Sequence, residues 1–462
     1  MKCPNCSAEL EYSVKDKEVK CEYCGSKFNP EELEKQVKVK SSKKEKEVVE
    51  GIEGRVYTCK ECGAKLLTFD ETAVTFCSYC GSQAILDDEL YENINPDYII
   101  PFKITKEEAI KNYIKKVNRS IFAPKYLKST DIVDKFRGIY MPYAVYKVGY
   151  HGTATNKGEV YYKTVGNYQY YHKYSIDNKV DAEYSGITYD LSSKFYDSYS
   201  QAVRHDFKEA VEFKHSYLPG FYVDTKDVEI KKYYSDAISE VKPDANSNLS
   251  KEKVLKKHGC RSANCPLNIL DTEIALFPVY FMSFRDKDGK NMHYAVVNAE
   301  TGEVTFETPI SYIKYILLSL VIALGIFLLI DNITVFSPKS MIIIGIIVSV
   351  ISMLISNNRL NTIFKRQNFL DDKGLTSEEK KIKTKPMPFK GKFFKYLIKP
   401  SIGAFIGLVS LIMPDMVYDL FYYIICMIIF IFVLLSFIDL LNEHNMLCKR
   451  KIPQLEKRGG NK

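Results

Sequence analysis

Ser340-Met-Ile-Ile-Ile-Gly-Ile-Ile-Val-Ser-Val-Ile-Ser-Met-Leu-Ile-Ser-Asn-Asn358 runs for 19 residues without one ionisable side chain. A helix that crosses a bilayer needs about 20 mostly apolar residues. The part from Met341 to Val350 is apolar on every face, unlike a helix on a water-exposed surface. Three more stretches lack ionisable groups: 315–330 with 16 residues, 400–414 with 15 and 420–438 with 19. The shorter two reach bilayer length once Lys314 and Lys399 extend their ammonium groups to the interface. The sequence therefore predicts four C-terminal transmembrane α-helices, over residues 310–331, 339–358, 400–414 and 418–440.

Charge around these spans predicts their orientation. The loop 359–399 holds 12 Lys+Arg and the tail 441–462 holds six, whereas the other two connections hold one Lys and none. Short loops rich in Lys and Arg stay on the cytoplasmic side. The expected location is a multi-pass protein of the cell membrane with N-terminus, basic loop and C-terminus all cytoplasmic. Met1 leads straight into a cysteine motif, with no signal peptide in view. Asp331, Asp415, Asp419 and Asp439 fall at span ends. With no ionisable group at mid-span, the helices read as an anchor rather than a transport or channel path.

The whole chain carries 65 Lys+Arg and 57 Asp+Glu, a net of +8. Residues 1–309 hold 45 against 47, a net of −2, and residues 310–462 hold 20 against 10, a net of +10. The positive excess thus belongs to the membrane part. A nucleic-acid partner, which needs a clustered basic face, is disfavoured.

Eight of the 12 cysteines lie in the first 80 residues, as four Cys-x-x-Cys pairs. Cys3/Cys6 pairs with Cys21/Cys24, and Cys59/Cys62 with Cys77/Cys80, each second-set cysteine lying 56 positions after its counterpart. Compare Cys21-Glu-Tyr-Cys-Gly-Ser with Cys77-Ser-Tyr-Cys-Gly-Ser. Two thiolates two residues apart share one Zn²⁺ from a tight knuckle, and a second knuckle completes the tetrahedron. Gly25, Gly63 and Gly81 suit the positive φ of such a turn. Between knuckles each unit reads as a hairpin: 10–14 and 18–20 about Lys15-Asp16-Lys17, then 66–69 and 73–76 about Asp70-Glu71. The prediction is two small four-cysteine zinc ribbons, residues 1–30 and 55–90, holding two structural Zn²⁺ ions. Four thiolates leave no open coordination position, so these sites are structural rather than catalytic. A disulfide framework or a redox Cys-x-x-Cys fits a cytoplasmic chain less well. Residues 31–54, with six Lys against seven Glu, read as a charged linker or frayed helix between independently moving ribbons.

Residues 97–309 read as a Tyr-rich α+β domain with antiparallel sheet, cytoplasmic in location. Thr105 and Glu108 form a capping box ahead of Ile110, Tyr113, Ile114 and Val117 at helical spacing. Residues 139–222 contain 16 of the 34 Tyr, and the chain has no Trp. Tyr here reads as a half-buried strand residue standing in for Trp, with a ligand-binding face as the alternative. Strands over 277–284, 293–298 and 303–307, with turns at Asp288-Gly289 and Thr301-Gly302, form a meander. His258, Cys260 and Cys265 lack an evident fourth ligand and read as free side chains. No phosphate loop, nucleophile elbow or His-Glu-x-x-His appears, so no enzyme activity and no small-molecule substrate are expected.

Several segments carry a resemblance. Ile99-Ile-Pro-Phe-Lys-Ile-Thr-Lys-Glu-Glu-Ala, Gly138-Ile-Tyr-Met-Pro-Tyr, Tyr217-Leu-Pro-Gly-Phe, Phe277-Pro-Val-Tyr and Asn298-Ala-Glu-Thr-Gly-Glu-Val resemble those of bacterial membrane proteins with N-terminal zinc ribbons of the transcription-factor-IIB type. The likeness covers most of residues 55–310. It implies a zinc-binding membrane protein, some of whose relatives resemble partners of PspA-type membrane-stress proteins. Others are labelled by analogy with replication helicases, but this chain has no nucleotide-binding motif. Family members often carry one ribbon, and Trp where this chain has Ala144 and Tyr280. The resulting expectation is a membrane-anchored adaptor or sensor that engages a protein partner, with a membrane-tethered nucleic-acid binder as the alternative.

Overall fold

The computed structural model describes residues 1–41, 55–59, 61–62, 64–68, 77–80, 82, 87–90, 96–203, 205–285, 291–331, 337–367, 370–373, 397–412 and 419–451. The Asp70-Glu71 and Asp288-Gly289 turns, the strand read over 73–76, Gly63, Gly81, and most of the linker, basic loop and tail lie outside them.

The first cysteine unit is a small sheet of its own. β1 (Leu10–Ser13) pairs antiparallel with β2 (Glu18–Cys21) across the Lys15-Asp16-Lys17 turn, and β3 (Lys27–Phe28) adds to β2. Leu10, Tyr12 and Val19 bury one face against Leu33 of α1 (Pro30–Ser41). That helix opens where Asn29 Oδ1 accepts from Glu31 N at 2.8 Å, a capping contact for an otherwise orphan N–H.

The second unit is not separate. Its strands β4 (Arg55–Thr58), β5 (Lys65–Thr68) and β6 (Asp87–Leu90) form one end of a 12-stranded sheet, counted among the described residues. The rest of that sheet comes from the middle domain. Its strands are β7 (Tyr98–Ile99), β8 (Arg137–Val165), β9 (Tyr168–Asp190), β10 (Val211–Glu212), β11 (Tyr222–Asp224), β12 (Asn268–Arg285), β13 (Asn291–Asn298), β14 (Val304–Phe306) and β15 (Arg450–Lys451). The main path runs β10-β7-β12-β8-β11-β5-β4-β6, with the predicted meander β12-β13-β14 alongside. The described pairings are antiparallel except β11 with β8 and β12 with β7.

Helices close the sheet domain. The capping box of α2 (Lys106–Arg119) forms as read, with Thr105 Oγ1 accepting from Glu108 N at 3.3 Å and Glu108 Oε2 from Thr105 N at 2.8 Å. Ala109, Tyr113 and Val117 make its buried stripe. Short helical turns α3 (Thr130–Val133) and α4 (Asp197–Ser200) fill corners. α5 (Tyr234–Ser250) buries Ala237, Val241, Ala245 and Leu249 over β9, and α6 (Lys253–Lys257) follows. Tyr140, Tyr143, Tyr146, Tyr280 and Tyr294 are fully buried core residues rather than half-buried ones.

The long strands were not foreseen. β8 pairs with β12 only as far as Gly149; beyond it β8 and β9 continue as a two-stranded arm. Tyr161, Tyr162, Tyr168, Tyr170 and Tyr171 are exposed towards its tip.

Three of the C-terminal helices are long and apolar enough to cross a membrane: α7 (Tyr312–Asp331), α8 (Pro338–Gln367) and α10 (Asp419–Leu447). A fourth, α9 (Ile398–Ile412), has 15 residues. α8 and α10 run parallel, since Cys426 Sγ reaches Pro338 O at 3.4 Å near one end and Arg359 reaches Leu440 O at 2.8 Å near the other. α9 lies antiparallel to both, with Lys399 on Asp439 at 2.8 Å and Gly403 facing Ser349 and Phe432. A Cβ at Gly345 or Gly407 would collide with Ile429 or Ile346, so these glycines set the close approach of the helices. α10 continues past the predicted span, and Glu443 on that extension is fully buried.

The sheet domain is clamped to one end of this bundle. Glu307 takes both Nη atoms of Arg366, at 2.6 and 2.7 Å. Asn445 and Ile310 exchange hydrogen bonds at 2.7 and 3.0 Å, and Lys314 donates to Ala123 O at 2.6 Å. β15, just past α10, pairs with β13.

Candidate metal centres

All four knuckles are built alike. The first cysteine of each pair donates its N–H to the carbonyl five residues on: Cys3 to Ala8 at 2.7 Å, Cys21 to Ser26 at 2.9 Å, Cys59 to Ala64 and Cys77 to Ser82 at 2.8 Å. The residue one before that carbonyl must turn back, and Gly25 does so at φ 69°. Ser7 holds the same place at φ 64°, the left-handed region that glycine enters without cost. Of the glycines read at this place, Gly25 bears out the expected positive φ, Gly63 and Gly81 lie outside the described residues, and the first knuckle uses a serine.

The eight predicted ligands come together in two sets, Cys3, Cys6, Cys21, Cys24 and Cys59, Cys62, Cys77, Cys80. In each set the four sulfurs lie within 4.8 Å of one another. The closest approaches are 3.7 Å for Cys3–Cys24, 3.4 Å for Cys6–Cys21, 3.6 Å for Cys59–Cys80 and 3.7 Å for Cys62–Cys77. A tetrahedron with bonds of about 2.3 Å has edges of about 3.8 Å, so both sets fit a tetrahedral thiophilic ion such as zinc. When bound, that ion supplies a covalent cross-link to units too small for a large core.

The two sets differ in exposure. Every cysteine of the second is buried, whereas in the first Cys24 is exposed and Cys6 half-buried. Hydrogen bonding from Ser26 holds the Cys24 thiol down at about 6. In the second set Cys62 and Cys77 are pushed up, mainly by hydrogen bonding to Cys59, which the same contact from Cys62 holds down. Four buried sulfurs cannot all ionise side by side without a cation among them.

The expectation of independent ribbons does not hold, because one short segment seats them both. Tyr12 N donates to Pro219 O at 3.1 Å and the Tyr12 ring meets Tyr217 edge-on at 5.6 Å. Lys214 pairs with Glu31 at 3.0 Å and His215 with Glu34 at 3.2 Å. Gly220, at φ 87°, lies so close that a Cβ would press on Glu11. Just beyond it, β11 pairs with β5 through Val223↔Leu67 and Asp224↔Leu66. Tyr79 packs on Phe281 at 5.1 Å, and Arg285 Nε donates to Cys80 O at 2.9 Å. The motif Tyr217-Leu-Pro-Gly-Phe was visible in sequence; its role as the seat of the first ribbon was not.

Cys260 and Cys265 are buried beside Leu255 and Leu267, and burial pushes the Cys265 thiol up. His258 Nδ1 sits 2.9 Å from Val254 O. Among the described residues no third donor group gathers there. Sequence reading missed the buried acids Asp190, Asp197, Asp224 and Asp372. A lone Asp near a strand end or in a loop gives no signal of burial.

Fold and sites together define a class: two tetrathiolate knuckle units docked on a sheet domain that apolar helices carry. Among curated proteins the chain is 27% identical over 324 residues to an uncharacterized protein of Bacillus subtilis (strain 168), YdjG, covering 67% of this chain and 90% of that one. No protein-family model matches the chain. No solved structure matches it.

Proposed function

We propose that the protein is a membrane-anchored adaptor or sensor, with two structural Zn²⁺ ions, that engages a protein partner at the inner face of the cell membrane, in membrane-stress response. One observation carries this reading: both cysteine units seat on residues 214–224 of the domain that is also clamped to the helix bundle. A change at either metal centre, or in a partner bound to it, then meets the same domain as a change in the helices. Four closed thiolate ligands per site supply structure rather than chemistry. Counting α9, about 22 Å long, as a short fourth span with Lys399 at the interface gives an even number of crossings. The starts of α7 and α9 and the ends of α8 and α10 then share the cytoplasmic side with the sheet domain, in keeping with the basic loop.

Crosslinking in intact membranes tests the reading. Deleting residues 1–54 is expected to remove specific partners; an unchanged partner set overturns it. Binding of DNA or RNA that weakens steeply with salt would instead favour a tethered nucleic-acid binder.

A further inference from the structure

Between Tyr171 and Tyr184, β9 pairs with β8 residue for residue, and among the described residues with no other strand. No backbone hydrogen bond from elsewhere in the described chain reaches its far edge there. The opposite edge of the arm is covered. On the β8 side a Cβ at Gly158 would collide with His258 O, and one at Gly259 with Glu159 O. Open strand edges are commonly protected by a proline, a bulge or extreme shortness. Residues 171–184 of β9 have none of these.

Side chains along the open edge alternate. Ile176 and Val180 are buried on the face that carries α5 and α6, while Lys173, Asp177, Lys179, Asp181 and Glu183 are exposed on the other. Lys173 meets Glu159 of β8 at 3.6 Å, and Glu183 meets Lys147 at 2.8 Å. Asp177 and Lys179 instead stand opposite Thr155 and Thr153. Asp177 accepts from the Thr155 hydroxyl at 2.6 Å, and among the described residues neither Asp177 nor Lys179 has an ion pair.

Two identical edges can pair antiparallel about a two-fold axis, which opposes residues that lie on the same face. The residue on the axis sets the register. Lys173 falls opposite an acid when that residue is Ser175, Asp177 or Asn178. Lys179 does so when it is Asn178, Val180 or Asp181. Asn178 alone serves both. Asp177 then faces Lys179 of the second copy and Lys173 faces Glu183, with Ile176 opposite Val180 and no like charges opposed.

We propose that the protein pairs with a second copy through this edge, β9 against β9 with Asn178 on the axis, joining two arms into one four-stranded ribbon. Opposite charges across a strand pair favour it and like charges oppose it, so the same side chains exclude the neighbouring registers. One step either way sets Asp177 against its own copy or against Asp181. The axis runs perpendicular to the ribbon. Two copies in one bilayer are related about the membrane normal, so the pairing lays the arm along the bilayer.

A benzophenone side chain in place of the exposed Ser175, which this register sets opposite Asp181 of the second copy, tests the proposal in the full chain in liposomes. Irradiation should give a covalent dimer whose link maps to residues 179–183. Lys179→Asp turns both central pairs into acid against acid and should weaken dimerisation by about tenfold. Asp177→Lys makes the mirror-image test with lysines. The double exchange, Asp177→Lys with Lys179→Asp, should restore the dimer, a recovery that misfolding would not show. A monomer throughout, a link elsewhere, or a dimer indifferent to both single exchanges would overturn the proposal. So would a dimer formed in detergent but absent from liposomes.

Discussion

Cys24 and Cys62 have the same partners on paper and different surroundings. Cys62 is buried within the large sheet domain, while Cys24 is exposed on a unit with its own small sheet. Structural zinc supplies roughly 10–16 kcal/mol to the folding of a small site. Cys62→Ala should therefore lower bound zinc from two ions to one and cut the unfolding temperature sharply, because β4 and β5 lose their cross-link. Cys24→Ala should remove one ion with a much smaller thermal shift. Metal analysis beside thermal unfolding checks both. A milder case is Thr105→Ala, which removes the side-chain acceptor at the start of α2 and should cost about 1 kcal/mol in denaturant unfolding. Ligands and cap were both legible because each depends on neighbours within a few residues.

At the scale of elements, legibility tracked how local the cause was. The hairpin of the first unit and the last two strands of the meander fell where turn residues put them. The extent of β8 did not show, because the residues buried on its outer half, Ala154, Asn156 and Gly158, are small or polar and give no apolar alternation, and they pack against β9 and residues 255–265 far along the chain. Docking was equally hidden, since it joins residues far apart in sequence. Gly220→Val is the sharp test of the first dock. It strains a backbone at φ 87° and adds bulk against Glu11. Two zinc ions should remain bound, while amides of β1 exchange faster. Arg366→Ala should loosen the other clamp by leaving Glu307 without its two-point partner. Faster proteolysis at residues 370–373 in detergent would register that loss.

Over the whole molecule, a net of −2 over residues 1–309 and +10 over the remainder assigns the positive excess to the region of the helices. The bundle meets the sheet domain at the start of α7 and the ends of α8 and α10, and α9 starts beside the end of α10. A thiol-reactive, membrane-impermeant reagent should therefore reach a cysteine placed near residue 390 and one at residue 460 from the same side. Labelling from opposite sides would mean an odd number of crossings between them. Sequence located the apolar stretches because a bilayer demands length and composition, which one chain displays unaided. It could not show Glu443 buried, because that burial belongs to the contact of α10 with its neighbours.

The tyrosine-rich arm gains a meaning from the clamp at the other end of its strand. β8 enters the sheet at Arg137, which pairs with Phe281 on the side where Arg450 joins Met292, and leaves its last sheet partner at Gly149. The residues from there to Val165 span about 50 Å at some 3.3 Å each. The arm's inner part is braced from one side, since Glu159 N donates to Gly259 O at 3.3 Å and Asn264 N to Asn156 Oδ1 at 2.8 Å. The exposed rings of Tyr161, Tyr162, Tyr168, Tyr170 and Tyr171 therefore sit at the end of a supported beam rather than on a free ribbon.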